Sequence, residues 1–89
     1  MKSRTTERFR RELARLPSEI QQQARRAFAQ WRQDANRPSL QFRRIHSRDP
    51  IYSARIGLHW RALAVLHGDT AVWFWIGPHS EYDTMVSQL

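Results

Sequence analysis

The feature that most constrains the fold is an unbroken apolar run near the C-terminus, residues 71–76 (AVWFWI), which stops at Gly77 and Pro78. A strand with one face in water alternates apolar and polar residues, so a run without alternation needs cover on both faces. We therefore expect residues 71–76 to form the central strand of a sheet, with their aromatic side chains in the core or at an interface. His79 and Tyr82 follow the break, where a buried strand delivers polar side chains to the rim of a fold.

The N-terminal part of the sequence has the 3.6-residue period of two helices. The apolar positions of the first are Phe9, Leu13 and Leu16, and those of the second are Ile20, Ala24, Ala27, Phe28 and Trp31. Thr5 or Thr6 is the candidate N-cap of the first helix, and Pro17 ends it. The S-x-x-Q pattern at residues 18–21 predicts a capping box for the second helix. The short connection between them predicts an antiparallel helical hairpin.

After a loop signal at residues 34–39, the apolar period changes to two. We expect strands at residues 40–45, 51–56, 60–66 and 71–76, and a short terminal helix at residues 80–86 with Ser80 as its N-cap. The prediction is an α+β fold in a single domain, residues 1–89. An N-terminal helical hairpin packs on a twisted antiparallel sheet of about four strands, and a short C-terminal helix follows.

Positive charge is concentrated in the first two thirds of the chain. The formal net charge is +7, and fourteen of the 15 basic residues are arginine. Residues 1–61 hold all 15 basic residues and five of the 8 acidic ones, a local balance of +10. Such a surface suits nucleic acid, and the planar guanidinium suits phosphate. The candidate nucleic-acid-binding residues are Arg25, Arg26, Arg43, Arg44 and Arg48. The alternatives are a solvated basic surface and one masked by an acidic protein partner.

Several classes of protein are disfavoured by composition. The sequence has no cysteine, so it has neither a disulfide framework nor a thiolate metal cage. His46, His59 and His67 lack the spacing of zinc ligands, and we expect neither a metal nor another cofactor. The N-terminus has no apolar segment of a signal peptide, and no apolar run approaches bilayer length. The expectation is a soluble cytoplasmic protein without a membrane partner.

The candidate catalytic residues are Arg55, Arg61, His79 and Tyr82, which come from neighbouring predicted strands and the rim after the last one. Cleavage of RNA by its own 2′-hydroxyl needs a base for the hydroxyl proton, an acid for the leaving 5′-oxygen and a cation for the charged phosphorane. His79 or Tyr82 can act as acid or base, and Arg55 and Arg61 can stabilise the charge.

Each of these residues also has a structural interpretation. A histidine after a strand often caps a helix or meets solvent. Tyr82 can cover the edge of the sheet with its ring. Arg61 can form a surface ion pair with Glu81 or Asp83, a contact of small energetic consequence.

The sequence resembles the RelE/ParE superfamily of bacterial type II toxins over nearly its whole length. The most specific part is residues 52–56 (YSARI) followed by residues 60–63 (WRAL), which look like the Y-S-x-R-I … R-x-L strand pair of RelE- and YoeB-type toxins. The resemblance implies metal-independent cleavage of mRNA in the ribosomal A site, and neutralisation by an antitoxin encoded beside the toxin. It implies that Arg61 stabilises the phosphate, that Arg55 fills a basic position, and that His79 stands where some members carry Arg or His.

The sequence departs from that family pattern at several positions. Only residues 1–4 are available for the strand that usually precedes the first helix, and Ser53 stands where RelE-type sites often carry lysine. The family's catalytic tyrosine position falls near Tyr82 or closer to Met85. The ParE branch shares the fold, lacks the RNase residues and is associated with inhibition of DNA gyrase. We expect an endoribonuclease toxin acting on ribosome-bound mRNA. The alternatives are a gyrase inhibitor and a non-toxic partner-binding protein of the same fold.

Overall fold

The computed structural model describes all 89 residues and contains five strands and three helices. In chain order they are β1 (Lys2–Thr5), α1 (Glu7–Arg15), α2 (Ser18–Gln33), β2 (Arg43–Arg44), β3 (Ile51–Ile56), β4 (Trp60–His67), β5 (Thr70–Pro78) and α3 (His79–Ser87), with one 3₁₀ turn at Pro38–Leu40. The strands form one sheet in the order β1-β5-β4-β3-β2. The predicted α+β class is therefore confirmed. None of the three helices combines the length and apolar character needed to cross a membrane.

The sheet has five strands and is mixed, whereas four antiparallel strands were expected. The additional strand is β1, which runs parallel to β5 with Lys2 opposite Thr70 and Thr5 opposite Trp73. Its sequence, KSRT, contains no apolar residue, and all four side chains are exposed. Hydropathy therefore carried no signal for this strand, which exists because its backbone pairs with β5. A polar edge of this kind also discourages pairing with other chains.

Strand β5 is buried on both faces, as its unbroken apolar run predicts. It lies between β1 and β4, while the geometric centre of the sheet is β4. Trp73 is fully buried and Trp75 is 6% exposed. The ladder to β4 pairs Ala64 with Trp73 and Leu63 with Trp75, so Phe74 is an extra residue in a bulge. Because of the bulge, the side chains of Phe74 and Trp75 both pack on the face opposite Trp73.

The helical hairpin covers one face of the sheet through an aromatic cluster. Trp31 of α2 and Trp73 of β5 meet edge to face with ring centroids 5.5 Å apart. Phe28 lies 5.0 Å from Trp73 and 5.7 Å from Phe9 of α1. Edge-to-face contacts add to the free energy of simple burial. This cluster is the main core, and Trp31 packs α2 onto the sheet within it.

The opposite face carries a smaller core under the C-terminal helix. Ile51, Leu63 and Trp75 are buried there, and Tyr82 and Met85 of α3 pack against them. Helix α3 contributes no fully buried residue, so its attachment rests on these half-buried side chains.

The helix caps only partly follow the sequence pattern. Thr6 is the N-cap of α1, and its Oγ1 accepts from the backbone N–H of Phe9 at 3.1 Å, as predicted. The capping box at residues 18–21 is wrong, because Pro17 occupies the N-cap of α2 and no side chain caps that end. The Gln21 amide instead donates to the carbonyls of Ala14 and Leu16, at 3.2 and 2.9 Å. It thereby ties the start of α2 to the end of α1.

Two further boundaries were predicted wrongly. Ser80 is not the cap of α3, which begins at His79 with Pro78 as its N-cap residue. The strand expected at residues 40–45 shortens to Arg43–Arg44, because Leu40 ends a 3₁₀ turn and Gln41 adopts a left-handed conformation with φ 46°. As a result, β3 has no strand partner beyond Ser53 on its outer edge.

Gly77 is required by the ring of Trp75. A Cβ at position 77 would stand 2.5 Å from Cζ2 of Trp75, closer than packed atoms tolerate. We expect Gly77→Ala to lower the free energy of unfolding by about 1–3 kcal/mol through overpacking, measured by urea denaturation. Gly68→Ala is the control, because its Cβ meets nothing within 4 Å and only the positive φ of 61° is penalised. Wild-type stability of Gly77→Ala would show that Trp75 has room to move.

Candidate functional site

Three of the four predicted catalytic side chains lie together where β4, the end of β5 and α3 meet. Arg61 on β4 stands opposite Gly77 of β5, and its guanidinium carbon is 5.5 Å from the centroid of the Tyr82 ring. The His79 and Tyr82 rings stack with centroids 5.8 Å apart and planes 17° from parallel. The Tyr82 phenol therefore lies between the Arg61 guanidinium and the His79 imidazole.

The junction between β5 and α3 positions two of these groups. Because α3 begins directly after Pro78, His79 and Tyr82 lie three positions apart on one helix, a spacing that puts them on the same face. The backbone N–H of His79 donates to the carbonyl of His59 at 2.6 Å. This bond ties the first turn of α3 to the turn between β3 and β4.

Tyr82 also has a packing role, as the structural interpretation predicted. Its ring is half-buried, lies 6.5 Å from the ring of Trp75 and closes the smaller core. His79 is exposed. Packing therefore holds the Tyr82 phenol in place, whereas the His79 imidazole is accessible to solvent and to a ligand.

Arg61 has no carboxylate partner. Its Nη2 donates to Oε1 of Gln41 at 3.0 Å. It forms no ion pair with Glu81 or Asp83, which was the alternative interpretation of this residue, and only Arg8 among the arginines pairs with a carboxylate. Since an amide orients a guanidinium without neutralising it, the positive charge of Arg61 stays available to an anion.

Gln41 is a site residue that the sequence pattern missed. Its left-handed backbone costs a residue with a side chain about 1–2 kcal/mol, and it is the only residue other than glycine with positive φ. That conformation turns the chain from the 3₁₀ helix toward β2 and brings the amide to Arg61. The alternation of residues 40–45 predicted a strand here, so no sequence signal pointed to this contact. Strained residues of this kind cluster at functional sites.

Arg55, the fourth predicted catalytic residue, is not brought to the cluster. It stands opposite Arg61 in the ladder between β3 and β4. Its Nε, however, donates to the carbonyl of Gly57 at 2.9 Å. The side chain lines a separate cleft with Arg26 of α2.

The five predicted nucleic-acid-binding arginines are all exposed and none forms an ion pair with a carboxylate. Two lie on α2, two form β2 and one follows β2 in the connection to β3: Arg25, Arg26, Arg43, Arg44 and Arg48. The guanidinium of Arg44 donates to the carbonyls of His46 and Arg48, at 3.0 and 3.3 Å, which orders the connection. The protein therefore presents a largely unneutralised basic surface.

The arrangement provides side chains that can transfer protons and a cation that can stabilise an anion. His79 and Tyr82 carry groups that can accept or donate a proton, and Arg61 presents a fixed positive charge beside them. No group of three or more His, Asp or Glu side chains gathers in one place to hold a metal ion.

The fold is shared with solved bacterial and archaeal toxins. YafQ from E. coli strain BL21(DE3) superposes with a TM-score of 0.71 at 7% identity, over 90% of this chain and 94% of that chain. A chain of the RelB–RelE antitoxin–toxin complex from Methanococcus jannaschii gives 0.68 at 20% identity, over 91% and 96%. The isolated E. coli RelE toxin gives 0.68 at 12% identity, over 98% and 96%. At these low identities, the TM-scores show a common fold.

The sequence itself identifies the family. No protein of curated function matches the sequence. A family model of the ParE-like toxin domain matches residues 18–84, from the start of α2 into α3 and well over half of the chain. The chain therefore belongs to the ParE-like toxin domain family, within the RelE/ParE superfamily of type II toxins.

Proposed function

We propose that the protein inhibits translation by cleaving mRNA on the ribosome, with side chains and no metal ion as catalysts. The observation that carries the proposal is the succession of Arg61, Tyr82 and His79, with an Arg61 that no carboxylate neutralises. The likeness to the RelE toxin fold supports it, although a fold alone does not determine an activity.

In the proposed reaction the RNA 2′-oxygen attacks the adjacent phosphorus. One of His79 and Tyr82 takes the 2′-hydroxyl proton while the new O–P bond forms, and the other gives a proton to the 5′-oxygen as its bond to phosphorus breaks. Arg61 stabilises the charge on the non-bridging oxygens of the phosphorane. The products are a 2′,3′-cyclic phosphate and a free 5′-hydroxyl.

Two macromolecular partners follow from the proposal. The ribosome and its mRNA would meet the five candidate nucleic-acid-binding arginines, Arg25, Arg26, Arg43, Arg44 and Arg48, and this binding would weaken as salt rises. A cognate antitoxin would neutralise the toxin, by analogy with the RelB–RelE antitoxin–toxin complex. Its gene is expected beside that of the toxin.

The test is induction of the protein in cells, followed by mapping of mRNA 5′ ends. We expect growth arrest and new 5′ ends within translated frames, and we expect these ends to disappear when translation initiation is blocked first. Intact mRNA in arrested cells would overturn the proposal.

A second candidate function, inhibition of DNA gyrase, is favoured by the match to the ParE-like toxin model. It predicts DNA damage and altered plasmid supercoiling in induced cells, with mRNA left intact. Purified protein would also inhibit supercoiling by gyrase in vitro. If induced cells grow normally while the protein is folded and soluble, the chain is a partner-binding member of the fold without toxicity.

Gln41→Gly separates the orientation of Arg61 from the stability of the fold. Glycine accepts the left-handed backbone without strain, so the free energy of unfolding should stay within about 1 kcal/mol of wild type. Loss of the amide bond to Arg61 should lower mRNA cleavage about tenfold. Thermal denaturation and a cleavage assay on translating ribosomes measure the two effects. An unchanged cleavage rate would show that Gln41 does not position Arg61.

A further inference from the structure

A second basic site lies in a cleft of about 420 Å³ between α2 and the outer edge of β3. One wall is a face of α2 formed by Gln23, Arg26 and Gln30, and the facing wall includes Arg55 and Gly57 of the β3–β4 hairpin. The cleft exists because β2 is short: the 3₁₀ turn at Pro38–Leu40 departs from the sheet and leaves this part of β3 without a strand partner. Its volume falls in the usual range of ligand sites, about 300–1,000 Å³.

The lining of the cleft is polar and carries positive charge without an acidic residue. Only Ala27 and Leu40 among its eight lining residues are apolar. Neither Arg26 nor Arg55 forms an ion pair. The Nε of Arg55 is held by the carbonyl of Gly57 at 2.9 Å, which leaves both terminal nitrogens of its guanidinium for an anion. Two guanidinium groups, two amides and the Ser39 hydroxyl provide donors for phosphate oxygens and both donors and acceptors for a ribose.

The cleft lies next to the candidate catalytic cluster in the fold. Arg55 in the cleft and Arg61 in the cluster stand opposite each other on neighbouring strands. Leu40 lines the cleft, and the next residue, Gln41, holds the Arg61 guanidinium at 3.0 Å. The two sites therefore lie side by side where β3 ends and β4 begins, and a polyanionic strand long enough to span both would meet positive charge in each.

We propose that this cleft, with Arg26 and Arg55 as its anion-binding groups, binds the sugar–phosphate backbone of single-stranded RNA beside the Arg61 cluster. Arg55 then binds the RNA backbone next to the phosphate at which the reaction takes place. The inference deepens the proposed function and rests on it for the identity of the strand as mRNA.

The lining favours RNA over an acidic peptide as the occupant. A peptide that docks through an amphipathic segment needs an apolar groove for its anchoring side chains. Such a surface exists at the other end of α2, where Trp31, Phe42, Tyr52 and Leu66 line a cleft of about 430 Å³. The Arg26–Arg55 cleft offers hydrogen-bond donors and charge, which match a phosphodiester backbone.

The test measures the affinity of the purified protein for a fluorescein-labelled single-stranded RNA of about ten nucleotides, 2′-O-methylated so that it cannot be cleaved. Fluorescence anisotropy is recorded over a series of salt concentrations. We expect Arg26→Gln and Arg55→Gln each to weaken binding about tenfold, and to reduce the slope of log K against log salt by about 0.7. Arg32→Gln is the matched control, since it removes the same charge from an exposed position of α2 outside the cleft. It should stay within about twofold of wild type.

Two results would overturn the cleft assignment. In the first, Arg26→Gln and Arg55→Gln bind the RNA as tightly as Arg32→Gln. In the second, RNA binding is unchanged while the complex with the cognate antitoxin weakens, which makes the cleft a protein-binding site. Cleavage of mRNA on translating ribosomes by the wild-type protein reports on the proposed function separately. RNA binding that depends on Arg26 and Arg55 supports the cleft even where wild-type protein cleaves no mRNA, a result that overturns the proposed function alone.

Discussion

Arg61→Ala is expected to lower mRNA cleavage by about 10²–10³-fold, the usual effect of removing one preorganised donor that stabilises transition-state charge. Its guanidinium is fixed between the Gln41 amide, at 3.0 Å, and the Tyr82 ring, at 5.5 Å to the centroid. It is also free of any carboxylate, so its charge is directed at a ligand. Single-turnover cleavage on ribosomes programmed with a defined mRNA measures the effect, and growth after induction gives a second readout.

Three controls accompany this variant. Arg61→Lys keeps a positive charge but loses the planar fork, so it should recover only part of the activity. Arg37→Ala removes an exposed arginine outside the cluster and should cleave at about the wild-type rate. Circular dichroism and thermal denaturation establish that the Arg61 variants are folded. A folded Arg61→Ala protein with wild-type cleavage would remove Arg61 from the mechanism.

Trp73→Ala is expected to have the largest effect on stability, a loss of about 3–5 kcal/mol in the free energy of unfolding. Trp73 is fully buried and touches Phe28, Trp31 and Phe42, with ring centroids 5.0, 5.5 and 6.1 Å away. Truncation therefore opens a cavity where both helices meet the sheet. The total stability of a domain of this size is of the order of 5–15 kcal/mol, so the substitution removes a large part of it.

Urea denaturation followed by circular dichroism measures this loss. Trp60→Ala is the matched control, because Trp60 is only partly buried at the start of β4, and it should lose less stability. Trp73→Phe should also cost less than alanine, since it keeps a ring and removes an indole N–H that has no hydrogen-bond partner. Equal losses for Trp73→Ala and Trp60→Ala would contradict the central place of Trp73 in the core.

The elements that the sequence predicted well are those whose apolar pattern matches their environment. The unbroken apolar run of residues 71–76 predicted a strand buried on both faces. This prediction succeeded because β5 is covered by the helical hairpin on one face and by α3 on the other. Helical spacing predicted the apolar faces of α1 and α2 correctly, because both faces pack in the main core against the sheet. Arg61, His79 and Tyr82 could be grouped because each lies at or next to the end of such an element.

The elements that sequence patterns missed depend on distant pairing or on a single backbone conformation. Strand β1 is polar throughout and is defined by its ladder with β5. The short β2 follows from the left-handed backbone of Gln41, a residue type with no preference for it. That one conformation both opens the cleft beside Arg55 and supplies the amide bond to Arg61. Local spacing cannot show that Arg55 turns to Gly57 at the sheet edge.

The pairing of β1 with β5 has a consequence for synthesis of the protein. The ribosome makes β1 before its partner β5, with α1, α2 and three further strands between them in the chain. Until β5 has left the exit tunnel, β1 has no strand to pair with, and Trp31 cannot pack against Trp73. Such long-range pairing also slows folding. A nascent chain stalled before β5 therefore lacks both the main core and the part of the candidate site that His79 and Tyr82 form.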